Sequence, residues 1–108
     1  MEIHIFSTRF RYQDWAGKLM RNLKQQGTYF KFSGANNSIT VYPPGESRTL
    51  LAYILDPTHP DIGRIRGLKA EKLVIHSNRF SNRQIVEMEA AMRVKHEKAY
   101  SWASGWMS

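Results

Sequence analysis

The groups from which a catalytic or metal-binding centre would be built are few in this chain: four histidines, nine carboxylates and no cysteine. Without cysteine there is no thiolate ligand, no disulfide and no thiol nucleophile. None of His4, His59, His76 and His96 falls in a helical pattern with a second histidine or a carboxylate three or four residues away, the spacing that puts two metal ligands on one helix face. His59 with Asp56 and Asp61 is the nearest approach to a ligand set, and Pro57 and Pro60 work against its convergence. A metal-dependent nuclease would draw on Asp56, Asp61, Glu71 and Lys72, but Glu71 and Lys72 are adjacent and so point to opposite faces of a strand. No serine lies in a G-x-S-x-G turn, and neither a P-loop nor a G-x-G-x-x-G fingerprint is present. The expectation is a protein with no catalytic residue, no metal and no cofactor of its own.

What the sequence does supply is positive charge. Sixteen Lys and Arg against nine Asp and Glu give a net +7 over 108 residues. That is within the range of an ordinary solubility charge, but here it clusters. One cluster is Arg64, Arg66, Lys69 and Lys72, followed by Arg79 and Arg83. Arg64-Ile65-Arg66-Gly67 lies in a glycine-bracketed loop, where guanidinium forks reach phosphates. Arg79 and Arg83 flank the expected N-terminus of a helix, whose free N–H groups favour an anion. A secondary patch is Arg9, Arg11, Lys18 and Arg21, with Tyr12 and Trp15 interleaved.

These residues need elements to position them. Glu2–Ser7 alternates as a short strand, and Tyr12–Gln26 carries an apolar stripe at helical spacing, closed by Gly27. His4 and His76 fall in strands and are expected to be satisfied, half-buried imidazoles. Thr28–Tyr42 reads as a hairpin around Gly34-Ala35-Asn36-Asn37, and Thr49–Leu55 as a strand covered on both faces. Asp56–Ala70 is irregular, Lys72–His76 a buried strand. Ser81 with Gln84 forms a capping box that opens a helix expected to run to about Ala99, with Ile85, Met88 and Met92 facing inward and His96 solvated on it. The predicted architecture is a single α/β domain over residues 1–108 (α+β being the alternative): a small mixed sheet of about five strands with two main helices packed on it.

The stretch Arg64-Ile65-Arg66-Gly67-Leu68-Lys69-Ala70-Glu71-Lys72-Leu73-Val74-Ile75-His76-Ser77 resembles the approach to the Walker B strand in the ATPase core of phage terminase large subunits, a P-loop fold. There an Arg-Gly dipeptide precedes a short loop and an apolar strand that ends in acidic residues. The layout of strand, helix, hairpin and strand upstream is similar, so the likeness spans about Ile3 to Phe80. This chain departs from it by lacking a Walker A loop and by placing His76-Ser77 where that family has its metal-binding and catalytic carboxylates. The resemblance therefore implies a catalytically dead relative that keeps a DNA-facing α/β core.

The function expected from these features is non-enzymatic nucleic-acid binding by a viral or mobile-element accessory factor. Phosphates are met through Arg64, Arg66, Lys69, Lys72, Arg79 and Arg83, and DNA is favoured over RNA. The alternative is a small protein-binding module or inhibitor that docks on an acidic protein; the third reading is a metal-dependent nuclease or degenerate ATPase. Trp102 and Trp106 in the apolar tail are candidates for a partner or homo-oligomer contact. No segment has the ~18 apolar residues of a membrane span, and Met1-Glu2-Ile3-His4 does not open a signal peptide, so a cytoplasmic protein (host cytoplasm, if viral) with no membrane partner is expected.

Overall fold

The computed structural model describes residues 1–100, with side chains described through residue 92. The chain runs β1 (Glu2–Phe6), α1 (Arg9–Gln25), β2 (Tyr29–Ser33), β3 (Ser38–Tyr42), β4 (Arg48–Ile54), a single 3-10 turn (Ile62–Arg64), β5 (Lys69–Ile75), α2 (Asn82–Ala91) and β6 (Arg93–Tyr100). The strands form one mixed sheet in the order β2-β3-β4-β1-β5-β6. β1 pairs in parallel with both β4 and β5, and β5 with β6, while β2 and β3 are antiparallel additions at the other side.

Local chemistry accounts for the element boundaries. Thr8 caps α1 by accepting from the Arg11 N–H at 3.2 Å, which starts the helix a turn before its apolar stripe begins. At the other end, Gly27 adopts φ 71°, and its neighbour's N–H (Thr28) reaches the Leu23 carbonyl at 2.9 Å while its own bonds Lys24, the paired closure of a Schellman stop. The hairpin turns where expected, with Asn37 at φ 49°. The Ser81–Gln84 capping box is formed in both directions, at 3.1 and 2.8 Å. Ile85, Met88 and Met92 are buried as the periodicity predicts.

The second helix ends earlier than its residue types suggest. Lys95, Glu97, Lys98 and Ala99 are good helix formers, yet residues 93–100 are strand β6. The open edge of β5 offers a full ladder of backbone hydrogen bonds, and pairing there outweighs propensities worth a few tenths of a kcal/mol per residue. The mixed sheet expected from the sequence is thereby extended by β6 at its edge, and His96 lies on that strand rather than on a helix.

Alternation along the central strands divides the core in two. Ile3 and Ile5 of β1 join Leu73, Ile75, Ile65 and the inward residues of α2 on one face. Phe6 joins Leu50, Ala52, Ile39, Val41 and the α1 residues Tyr12, Ala16 and Leu23 on the other. The helices therefore cover opposite faces, a three-layer arrangement.

Candidate phosphate-binding cleft

The connections of two neighbouring strands diverge. From β1 the chain leaves through α1 on one face and comes back, by way of the hairpin, to β4. From β5 it leaves through α2 on the other face and continues to β6. Between the C-terminal ends of β1 and β5 the backbone parts, and this switch point is where open α/β sheets hold ligands. A cleft of about 100 Å³ lies there, room for several waters or one small anion. Ser7, Thr8 and Arg11 line it from the β1 side, and His76, Ser77, Asn78 and Arg79 from the β5 side. Ser77 is buried, and its Oγ accepts from the Arg79 N–H at 3.1 Å, which fixes the turn that carries Arg79.

Behind the cleft a polar chain crosses the sheet beneath α1. Arg48 on β4 grips Glu2 through Nε at 2.8 Å and through Nη2. Glu2 Oε1 is 3.3 Å from His4 Nε2, and His4 Nδ1 is 2.7 Å from His76 Nε2. The His76 ring stacks on Phe6 at 4.4 Å and 9°, and Trp15 lies against both imidazoles. The hydrogen bond from His4, with the Arg48 guanidinium, holds the Glu2 carboxyl at about 2 against the opposing effect of burial. Burial pushes His4 down, and burial together with the charge His4 would carry pushes His76 down to about 3. Both imidazoles are therefore neutral near pH 7. His4 lies in β1 as expected but is buried rather than half-buried, while His76 falls one residue beyond the end of β5, and the two are joined in a pair that the sequence does not announce.

The structure distributes the basic residues over both edges of the sheet. Arg79 is in the cleft, Arg83 is in the first turn of α2, and Arg64 is tied to the end of β4 by an Nη1 bond to the Ile54 carbonyl at 3.1 Å, with its guanidinium 5.6 Å from the Tyr53 ring. These three lie at the C-terminal edge, together with Arg9 and Arg11 from the start of α1. Lys69 opens β5, six residues before Ile75, so it stands about 20 Å away at the opposite edge, beside Met1 and Glu71. Arg66 precedes Gly67, whose N–H bonds the Ala91 carbonyl at the end of α2, again at the far edge. Lys72 is mid-strand, opposite Glu2. The single surface expected over Arg64–Lys72 with Arg79 and Arg83 is thus divided by the length of β5. Lys18 and Arg21 lie further along α1, with Lys18 paired to Asp14 at 3.0 Å, and Arg83 pairs with Glu87 at 3.5 Å. Trp102 and Trp106 lie outside the described residues.

Asp56 takes its local hydrogen bonds from Thr58 N and Oγ1 at 2.9 and 2.7 Å, and Glu71 pairs with the N-terminal amine at 3.7 Å. Among the described residues, no three His, Cys, Asp or Glu side chains converge on one point. No helix among them is long and apolar enough to cross a membrane.

No protein-family model and no curated protein matches the chain. Solved structures do. The large terminase of a thermophilic bacteriophage, in complex with ADP, superposes with a TM-score of 0.74 at 16% identity, over 92% of this chain and 24% of that one. A second crystal form of the same terminase gives 0.74 at 17% identity, over 92% and 25%. This chain spans about a quarter of the length of those proteins. At such identity the likeness establishes the fold, and the terminase-like fold implied by Arg64–Ser77 is the one found.

Proposed function

We propose that this α/β chain binds nucleic acid through phosphates at the C-terminal edge of its sheet, and that it acts by binding rather than by catalysis. The observation that carries the reading is the switch-point cleft, which brings Arg11 and Arg79 from the two diverging connections to one space whose lining contains no carboxylate. Arg9, Arg64 and Arg83 surround the same edge, and the first turns of α1 and α2 contain no acid. Guanidinium forks beside hydroxyl and amide groups suit phosphate oxygens. The fold shared with a phage terminase supports a phage or viral accessory role and DNA as the nucleic acid. His76-Ser77, at the end of β5, supply neither a metal-binding nor a catalytic carboxylate, which supports the absence of turnover.

The test is fluorescence anisotropy with duplex and single-stranded oligonucleotides across a salt series. R11Q/R79Q is expected to reduce the slope of log K against log salt by about 0.9 on duplex DNA, because the two arginines meet one phosphate in the cleft. K69Q, at the opposite edge, is expected to leave it unchanged. Absence of binding at low salt overturns the proposal, as does Mg²⁺-dependent plasmid cleavage or ATP turnover. Docking on a protein is the second reading, favoured by a separate feature: Phe10 is 77% exposed at the start of α1, with Tyr29 and Phe32 exposed on the edge strand β2. Loss of partner capture in F10S with DNA binding intact would favour it.

A further inference from the structure

The polar chain behind the cleft fixes where its protons sit. Glu2 is ionised and can only accept, so His4 Nε2 carries the proton that it shares with Glu2. A neutral His4 then has a bare Nδ1, and the 2.7 Å bond to it must be donated by His76 Nε2. A neutral His76 in turn has a bare Nδ1. Among the described residues, the Tyr12 hydroxyl is the only buried side-chain polar atom without a hydrogen-bond partner. His76 Nδ1 has no partner among the described residues and is not among their buried unpaired atoms, and the space that His76 lines is the cleft.

We infer that the cleft selects a phosphate monoester at a nucleic-acid end over an internal phosphodiester, because its two arginines attract the anion while His76 Nδ1 requires a hydrogen-bond donor. A monoester in its monoanionic form carries one P–OH, which donates to Nδ1 while its remaining oxygens accept from Arg11 and Arg79. A diester has no such proton and sets an anionic oxygen against a lone pair. The inference rests on the nucleic-acid reading above and names the part of the nucleic acid that enters the cleft.

The proton also gives the selection a pH dependence. The second ionisation of a phosphate monoester lies near ~6, so the P–OH form grows as pH falls through that value, while a diester does not change. His76 is faced by His4 from β1, by Arg11 from α1 and by Arg79 on the following turn; Glu2 and Lys72 act on His4, and Asp56 lies beyond Arg79. His76 stays neutral down to about 3. The preference above pH 5 therefore follows the titration of the ligand.

The experiment compares 5′-phosphorylated, 3′-phosphorylated and unphosphorylated oligonucleotides of one sequence from pH 8 to pH 5.5 at fixed ionic strength. A phosphorylated end is expected to bind tighter by roughly five- to tenfold at pH 5.5, from one additional hydrogen bond, with the advantage shrinking towards pH 8. His76→Phe keeps a ring stacked on Phe6 and is expected to abolish the preference, so that phosphorylated and unphosphorylated strands bind alike at every pH. Nitrogen-edited NMR of the unmodified protein reads the tautomers directly, with both protons expected on Nε2. Equal binding of phosphorylated and unphosphorylated strands overturns this inference alone, and so does an Nδ1–H tautomer at His76. A nucleoside 5′-monophosphate that competes as well as the phosphorylated strand overturns the nucleic-acid end as the source. No binding of any strand at low salt removes the nucleic-acid reading itself.

Discussion

Acid should destabilise this protein well before its carboxylates titrate, and His76→Phe should remove much of that effect. His76 is neutral in the folded state down to about 3, whereas in the unfolded chain it takes a proton at its ordinary 6.5. A folded pKa below the unfolded one means that the unfolded state binds more protons between those values, so stability is lost as pH falls from 6.5 towards 3. Between pH 7 and 4.5 the window spans about two pH units below 6.5, and at 1.36 kcal/mol per unit His76 alone accounts for about 3 kcal/mol. That is a large part of the roughly 5–15 kcal/mol typical of a domain. His4, also held neutral by burial, changes stability in the same direction. Glu2 does not interfere: its lowered carboxyl contributes stability that is intact above 4.5 and is lost only below it. The assay is urea denaturation followed by circular dichroism at pH 7, 6, 5 and 4.5. The wild-type protein should lose at least ~3 kcal/mol over this range, and His76→Phe about 3 kcal/mol less than wild type. At pH 7 the variant should be only ~1 kcal/mol less stable, from the missing hydrogen bond at His4 Nδ1. A variant whose stability falls with pH as steeply as the wild type would refute the burial of His76 as a neutral group.

Two further outcomes are expected. Arg48→Met frees one oxygen of Glu2, whose side chain is only 12% exposed, and should cost ~1 kcal/mol at pH 7 while raising the pH of the final acid transition below 4.5, read by the same titration. Ser81→Ala removes the cap that opens α2 and should cost ~1 kcal/mol, seen as a shift of the urea midpoint without a change in slope.

Much of the fold was legible because its determinants are local. Ser81 with Gln84, Gly27 and Asn37 act through near neighbours in the chain, so the start of α2, the end of α1 and the hairpin turn can be read along it, whereas the Thr8 cap begins α1 at Arg9, three residues before the Tyr12 expected from the apolar stripe. Residues 93–100 were misleading for the same reason. Their local preference is helical, and the partner that makes them a strand is β5, more than twenty residues away in sequence. The basic character was legible too, but its division was not: Lys69 and Arg79 are close in sequence and stand at opposite edges because a fully extended strand lies between them.

The sequence by itself determined the alternation of β1, the apolar runs of β4 and β5, the apolar stripes of the helices, the net charge of +7 and the absence of thiol chemistry, since these depend only on residue type and spacing. Only the tertiary structure decided that β1 lies between β4 and β5, and everything at the cleft follows from that order. It sets Arg11 beside Arg79, and it brings His4 to 2.7 Å from a histidine 72 residues later. Parallel pairing joins strands through long crossovers, and no local preference records which strands will meet. The tautomers of the two imidazoles, and so the acceptor that His76 presents, are consequences of that meeting.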